Sequence, residues 1–153
     1  MATSKRQRRT VGSIVQVPLG DGTYCYAQVL QEADFAFFDI RAAGSVDVAD
    51  IVTRPVLFRI AVMNHAITSG RWQKVGSAPL SADLAGAQPK FIQDALDPAR
   101  FEIYLAGHTR PATREECRGL ERSAVWEPEH VEDRLRDHYA GRPNKWVKSL
   151  ALR

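Results

Sequence analysis

From Val11 onward the hydrophobic positions run at a period of two. Val15, Val17 and Leu19 fall on one face, with Gln16 and Pro18 on the other, the pattern of a half-buried strand. Gly20-Asp21-Gly22 follows, a turn whose glycines reach positive φ without a Cβ clash. Tyr24–Leu30 then returns, rich in aromatic and β-branched residues, and the two segments predict a β-hairpin. Phe35–Ile40 carries three aromatics in its first four residues, which suits a packed sheet better than a helix surface and predicts a third strand. Ala42–Ser45 breaks it, and Val46–Ile51 reads as a short extended piece. After Pro55, the run Val56–Met63 is apolar except for Arg59; its β-branched content predicts a buried strand. Ser69-Gly70 marks a break, Trp72–Val75 predicts a short edge strand, and Gly76–Pro89 reads as a surface loop or helical turn. Asp97-Pro98 starts a turn, after which Phe101–Leu105 alternates again as a strand.

The last third changes period. Thr113 with Glu116 three residues later is a capping-box signature, predicting a short helix that ends near Gly119. Ser123–Trp126 reads as one more strand. Pro128 suits a first helical position, and Glu129, Glu132 and Asp133 complement the positive end of a helix there. Val131, Leu135 and Tyr139 recur at four-residue spacing before Gly141 stops the helix. Trp146, Val147 and Leu150 are expected to pack the C-terminal end back onto the body. The pattern predicts an α+β fold: about five to seven mainly antiparallel strands in a strongly twisted or barrel-like sheet, with two short C-terminal helices. With no internal repeat or linker, residues 11–153 are expected to form one domain behind a tail of residues 1–10.

Composition sharpens the class. The 153 residues are 44% hydrophobic and 25% charged, well inside the globular range. No apolar run reaches the length of a membrane span, and the basic N-terminus lacks the apolar region of a secretory signal. Two cysteines, Cys25 and Cys117, make no disulfide scaffold, so a reducing cytoplasm is the expected home. The formal charge of +3 belongs to the tail: Lys5, Arg6, Arg8 and Arg9 are four of the 21 basic residues, and none of the 18 acids falls in residues 1–10. The body therefore has no general affinity for polyanions. The tail is expected to be mobile and to touch phosphates only weakly. It supports one alternative function, a small nucleic-acid-binding module using Lys5 to Arg9.

Candidate chemistry is sparse. Gly20-Asp21-Gly22 lacks the third glycine and the following helix of a dinucleotide loop. Glu127 and His130 have the i, i+3 spacing of carboxylate-bridged metal sites, but the other late helix supplies no matching histidine. His65, His108 and His138 show no zinc spacing with either cysteine. Cys25 and Cys117 read as packing thiols rather than nucleophiles, and Trp72, Trp126 and Trp146 as core or half-buried residues. The expectation is a protein without catalytic residues, metal or cofactor. Its densest charged feature is the acidic face Glu127, Glu129, Glu132, Asp133 and Asp137, a solvated helix face toward which a basic protein partner would be steered.

The stretch from Val11-Gly12-Ser13 through Val17-Pro18-Leu19-Gly20-Asp21-Gly22 to Tyr24–Leu30 resembles the opening of the immunity protein 26 family of bacterial polymorphic toxin systems: an apolar-Pro-Leu step, a Gly-rich turn, and an aromatic strand ending in Gln-Val. Phe37–Ile40, Ser69-Gly70-Arg71-Trp72 and Pro79-Leu80 are similar to the family's middle section. The likeness runs over about residues 11–106. Ser13 stands where members often have an acid, and the basic tail is not a family feature. The resemblance implies a non-enzymatic cytoplasmic inhibitor that binds one cognate toxin domain, such as a nuclease or another intracellular enzyme, and blocks its active site or substrate path. The matching positions are turn and core residues, so no contact residue carries over.

Overall fold

The computed structural model describes residues 6–153. Strand β1 (Ser13–Pro18) turns through Gly20 (φ 84°) and Gly22 (φ 86°) into antiparallel β2 (Tyr24–Val29). The turn is tied by Asp21, whose carboxylate accepts from the Thr23 amide and hydroxyl and meets Arg41 at 2.8 Å, holding its pKa down to about 2. β3 (Asp34–Phe38) and β4 (Val56–Val62) continue the sheet. β5 (Gln73–Ser77) lies on the far side of β1, and the two-residue β9 (Val125–Trp126) runs parallel to β4. The order is β5-β1-β2-β3-β4-β9. This sheet is open: β5 and β9 are its two edges, so the expected barrel-like closure does not form.

Both faces of the large sheet are buried, which the alternation of β1 alone does not disclose. Val15, Val17, Phe35, Phe37 and Trp72 pack on one face under α2 (His65–Thr68) and α5 (Pro128–Ala140). Ile14, Tyr26, Phe38 and Ile51 pack on the other under α1 (Val48–Ile51) and α3 (Ala82–Ala85). The piece expected to be extended at Val46–Ile51 is therefore a helical turn. Its position over the sheet overrides the β preference of its branched residues, as Ile51 is fully buried there. Arg59, the one charged residue of β4, donates to the carbonyls of Asp83 (3.2 Å) and Gly86 (2.8 Å) and ties α3 to the sheet.

A second, three-stranded antiparallel sheet has the order β6-β7-β8, from β6 (Lys90–Gln93), β7 (Phe101–Leu105) and β8 (His108–Ala112). Phe91, Phe101, Ile103 and Cys117 form its small core under α4 (Arg114–Cys117), whose Thr113–Glu116 capping box is present as predicted. β7 and β8 meet through Ala106 (φ 50°) and Gly107 (φ 84°). A turn with both central residues at positive φ is the I′ type, and alanine is strained there. Replacing Ala106 by Asn should raise stability by about 0.5–1 kcal/mol, measured by urea denaturation; an unchanged midpoint would show that the turn stores no strain.

Residues 1–5 of the expected tail, Lys5 among them, lie outside the described residues. Past them, Gln7 and Arg9 are docked. Gln7 donates to the carbonyls of Ile67 (3.0 Å) and Trp72 (2.8 Å) and accepts from the Lys74 amide at 2.8 Å. Arg9 donates to the carbonyls of Leu30 (2.8 Å) and Asp34 (3.0 Å) and lies over the Phe35 ring. These two polar side chains attach to backbone carbonyls, two of which, on Ile67 and Asp34, also accept a backbone N–H, so residues 7 and 9 are held by polar contacts without apolar anchors. Among the described residues, no helix is long and apolar enough to cross a membrane.

Candidate partner-binding surface

Helix α5 begins at Pro128 and ends at Gly141 in the left-handed conformation (φ 68°), as its sequence signals predict. Val131 and Leu135 are fully buried against the large sheet. The opposite side is covered by α6 (Lys145–Leu150), whose Trp146 ring stacks on His130 with centroids 3.4 Å apart. The helix is thus packed on two sides.

That packing changes the meaning of its acids. Glu132 is buried, with 4% of its surface exposed. It receives Arg71 through Nε and Nη2, both at 2.8 Å, and the Trp72 indole N–H at 2.9 Å. The same bonds push the Arg71 guanidinium up from its ordinary pKa. Glu129 sits 3.5 Å from another nitrogen of Arg71, and Glu127 3.0 Å from His65. Asp133 pairs with Arg136 at 2.5 Å and accepts the Trp146 indole N–H at 3.0 Å. Burial pushes its carboxyl up, but those two bonds outweigh it and leave the group below the usual carboxylate range. Asp137 meets Arg142 at 3.2 Å and the Asn144 amide at 2.9 Å.

The picture of a solvated acidic face changes at one position: all five acids have a partner within the chain, but Glu132 alone of them is a core residue. Sequence showed the charges and the local Arg136 and Arg142, but not Arg71 and Trp72, which lie some sixty positions upstream. Glu129 and Glu127, with side chains 54% and 44% exposed, are the members a partner reaches most readily.

The other residues singled out by sequence fall into structural places. Trp72 and Trp126 are buried and Trp146 half-buried. Burial pushes the Cys25 thiol up to about 12 and the Cys117 thiol in the same direction, so both are held as thiols rather than nucleophilic thiolates. Glu127 turns to His65 while His130 stacks on Trp146, so the i, i+3 pair does not converge. Among the described residues, no three His, Cys, Asp or Glu side chains gather as metal ligands would.

Sequence reasoning missed a cleft of about 700 Å³ on the α4 side of the small sheet, lined by Ile103, Leu105, His108, Arg110, Glu116 and Leu120 among others. It sits beside the β7–β8 turn. Its lining comes from segments whose pairing no local pattern announced.

Comparison with known proteins adds the class. The family described as immunity protein 26 matches residues 10–102, more than half of the chain, and the chain belongs to that family. No curated protein and no solved structure matches it. The matched segment runs from the residue before Val11 into the start of β7, close to the span of about residues 11–106 that resembles the family. The β7–β8 turn, β8, α4, β9, α5 and α6 lie beyond it.

Proposed function

We propose that this protein binds one cognate toxin of a bacterial polymorphic toxin system in the cytoplasm of the producing cell and neutralises it by occupying its surface, without chemistry of its own. Membership of the immunity protein 26 family carries this reading. The internally paired charges support it physically. A frame whose Arg71–Glu132 and Asp34–Lys90 pairs are already made presents a pre-organised surface, so little ordering cost opposes binding. On α5, Glu129 and Glu127, with Asp133 and Asp137 behind them, favour encounter with a basic toxin. Their contribution falls on the association rate and weakens with salt. The nucleic-acid alternative loses one of its four tail cations, because Arg9 is spent on the carbonyls of Leu30 and Asp34.

The test is co-expression with the C-terminal domain of the protein encoded immediately upstream. The expected result is a one-to-one complex through size-exclusion chromatography and survival of cells that otherwise die on expressing that domain. Neither complex nor protection would overturn the reading.

A further inference from the structure

We propose that the toxin docks on the small sheet, inserting an uncharged apolar side chain into the cleft beside the β7–β8 turn; this rests on the immunity function proposed above. The cleft exists because α4 is a single turn. Cys117 covers Phe91 and Phe101, while Leu105, 43% exposed, and its neighbours Ile103 and Leu120 line a hollow of about 700 Å³. That volume is in the range of sites that bury a ligand group.

Three observations select the occupant. The edges of the small sheet disfavour strand addition. On the β6 side, residues 121–123 already pair, through Phe91 N–H to the Glu121 carbonyl (3.0 Å) and Ser123 N–H to the Phe91 carbonyl (2.8 Å). On the β8 side, the two-residue turn makes Leu105 and His108 a hydrogen-bonded pair. Alternation then directs the backbone of Thr109 and Pro111 outward, and Pro111 has no N–H to offer. A partner is left with the face.

Charge selects the group that enters. Arg110 and Glu116 pair across the lining at 2.8 Å, and Glu116 also accepts the Thr113 amide at 3.1 Å. An entering ion would compete with a satisfied pair, whereas an aromatic or branched apolar group buries against Ile103, Leu105 and Leu120 unopposed. Position supplies the third argument. The cleft residues from Ile103 to Leu120 lie beyond the family-matched segment, which ends at residue 102. Discrimination of one toxin from the rest can draw on such residues, which the shared segment does not include.

The experiment measures binding of the upstream-encoded C-terminal domain by calorimetry and folding by thermal denaturation. Leu105→Arg places a charge in the cleft and should weaken binding by about 100-fold, as loss of a central anchor site does. Leu105→Gln is a milder change at a partly exposed strand position and should weaken it about tenfold, so a poorly folded arginine variant leaves a decisive measurement. Leu96→Ser removes an apolar side chain that is 96% exposed on the β6–β7 loop and should leave affinity within about threefold. If the Leu105 variants bind as the parent does, the docking site is wrong while the immunity function stands. If the parent chain does not bind, the functional reading fails first. A concentration-dependent dimer of the parent chain, seen by sedimentation and abolished by Leu105→Arg, would assign the cleft to a second copy and overturn the proposal.

Discussion

Glu132→Ala is expected to destabilise the protein by about 3 kcal/mol, a large share of the total stability of a domain this size. The reason is what the carboxylate leaves behind. Trp72 is fully buried and its indole N–H is held by Glu132 at 2.9 Å; losing the acceptor leaves a donor with no access to water, costing about 1–3 kcal/mol. Arg71 loses two bonds of 2.8 Å, but its side chain is 38% exposed and regains water, so its share is the smaller. Trp72 also meets Phe35 and Phe37 edge-on at 5.7 Å, so displacement of the indole disturbs the centre of the large-sheet core. Glu132→Gln keeps an acceptor for Trp72 and should cost only about 1 kcal/mol. Urea denaturation of the two variants measures both. Equal losses would mean that the charge, rather than the acceptor, sustains the network. An alanine variant as stable as the parent would remove Glu132 from the stabilising interactions.

Local signals carried much of the fold. Gly20 and Gly22 announced the first hairpin, the aromatics of β3 its burial, and Pro128 with Gly141 the ends of α5. The failures share a cause. β8 holds His108, Thr109, Arg110, Pro111 and Ala112, a run with no hydrophobic alternation, and its existence depends on pairing with β7. Its turn is Ala-Gly where Asn-Gly would have been recognised. β6 is four residues long, too short for a period to register; β9 falls inside the strand expected at Ser123–Trp126 but keeps only Val125 and Trp126. At α1, tertiary packing overrode residue preference. The acidic face was legible only in part: the five acids and the nearby Arg136 and Arg142 stand in the local sequence, while Arg71, Trp72 and His65, which meet Glu132, Glu129 and Glu127, come from some sixty positions upstream. Whether a charge is solvated is a non-local property, and spacing along one helix does not contain it.

The second large effect concerns the seam between the two sheets, and there the order of two variants is the prediction. Asp34 on β3 and Lys90 on β6 form an ion pair with side chains 13% and 7% exposed. Arg9 lies close by, donating to the Asp34 carbonyl at 3.0 Å and feeling the Asp34 charge. Removing the acid strands a buried ammonium with a second cation as its neighbour. Removing the lysine leaves the carboxylate still facing Arg9. Asp34→Asn should therefore cost about 3 kcal/mol or more, and Lys90→Met, which keeps the volume and lifts the desolvation cost of the amine, about 1 kcal/mol. Because the pair joins the sheets, hydrogen exchange in Asp34→Asn should accelerate most in β6 and β7, with β1 and β2 least affected. A methionine variant as damaged as the asparagine one would show that Arg9 contributes no compensation, and uniform exchange would show that the two sheets open together.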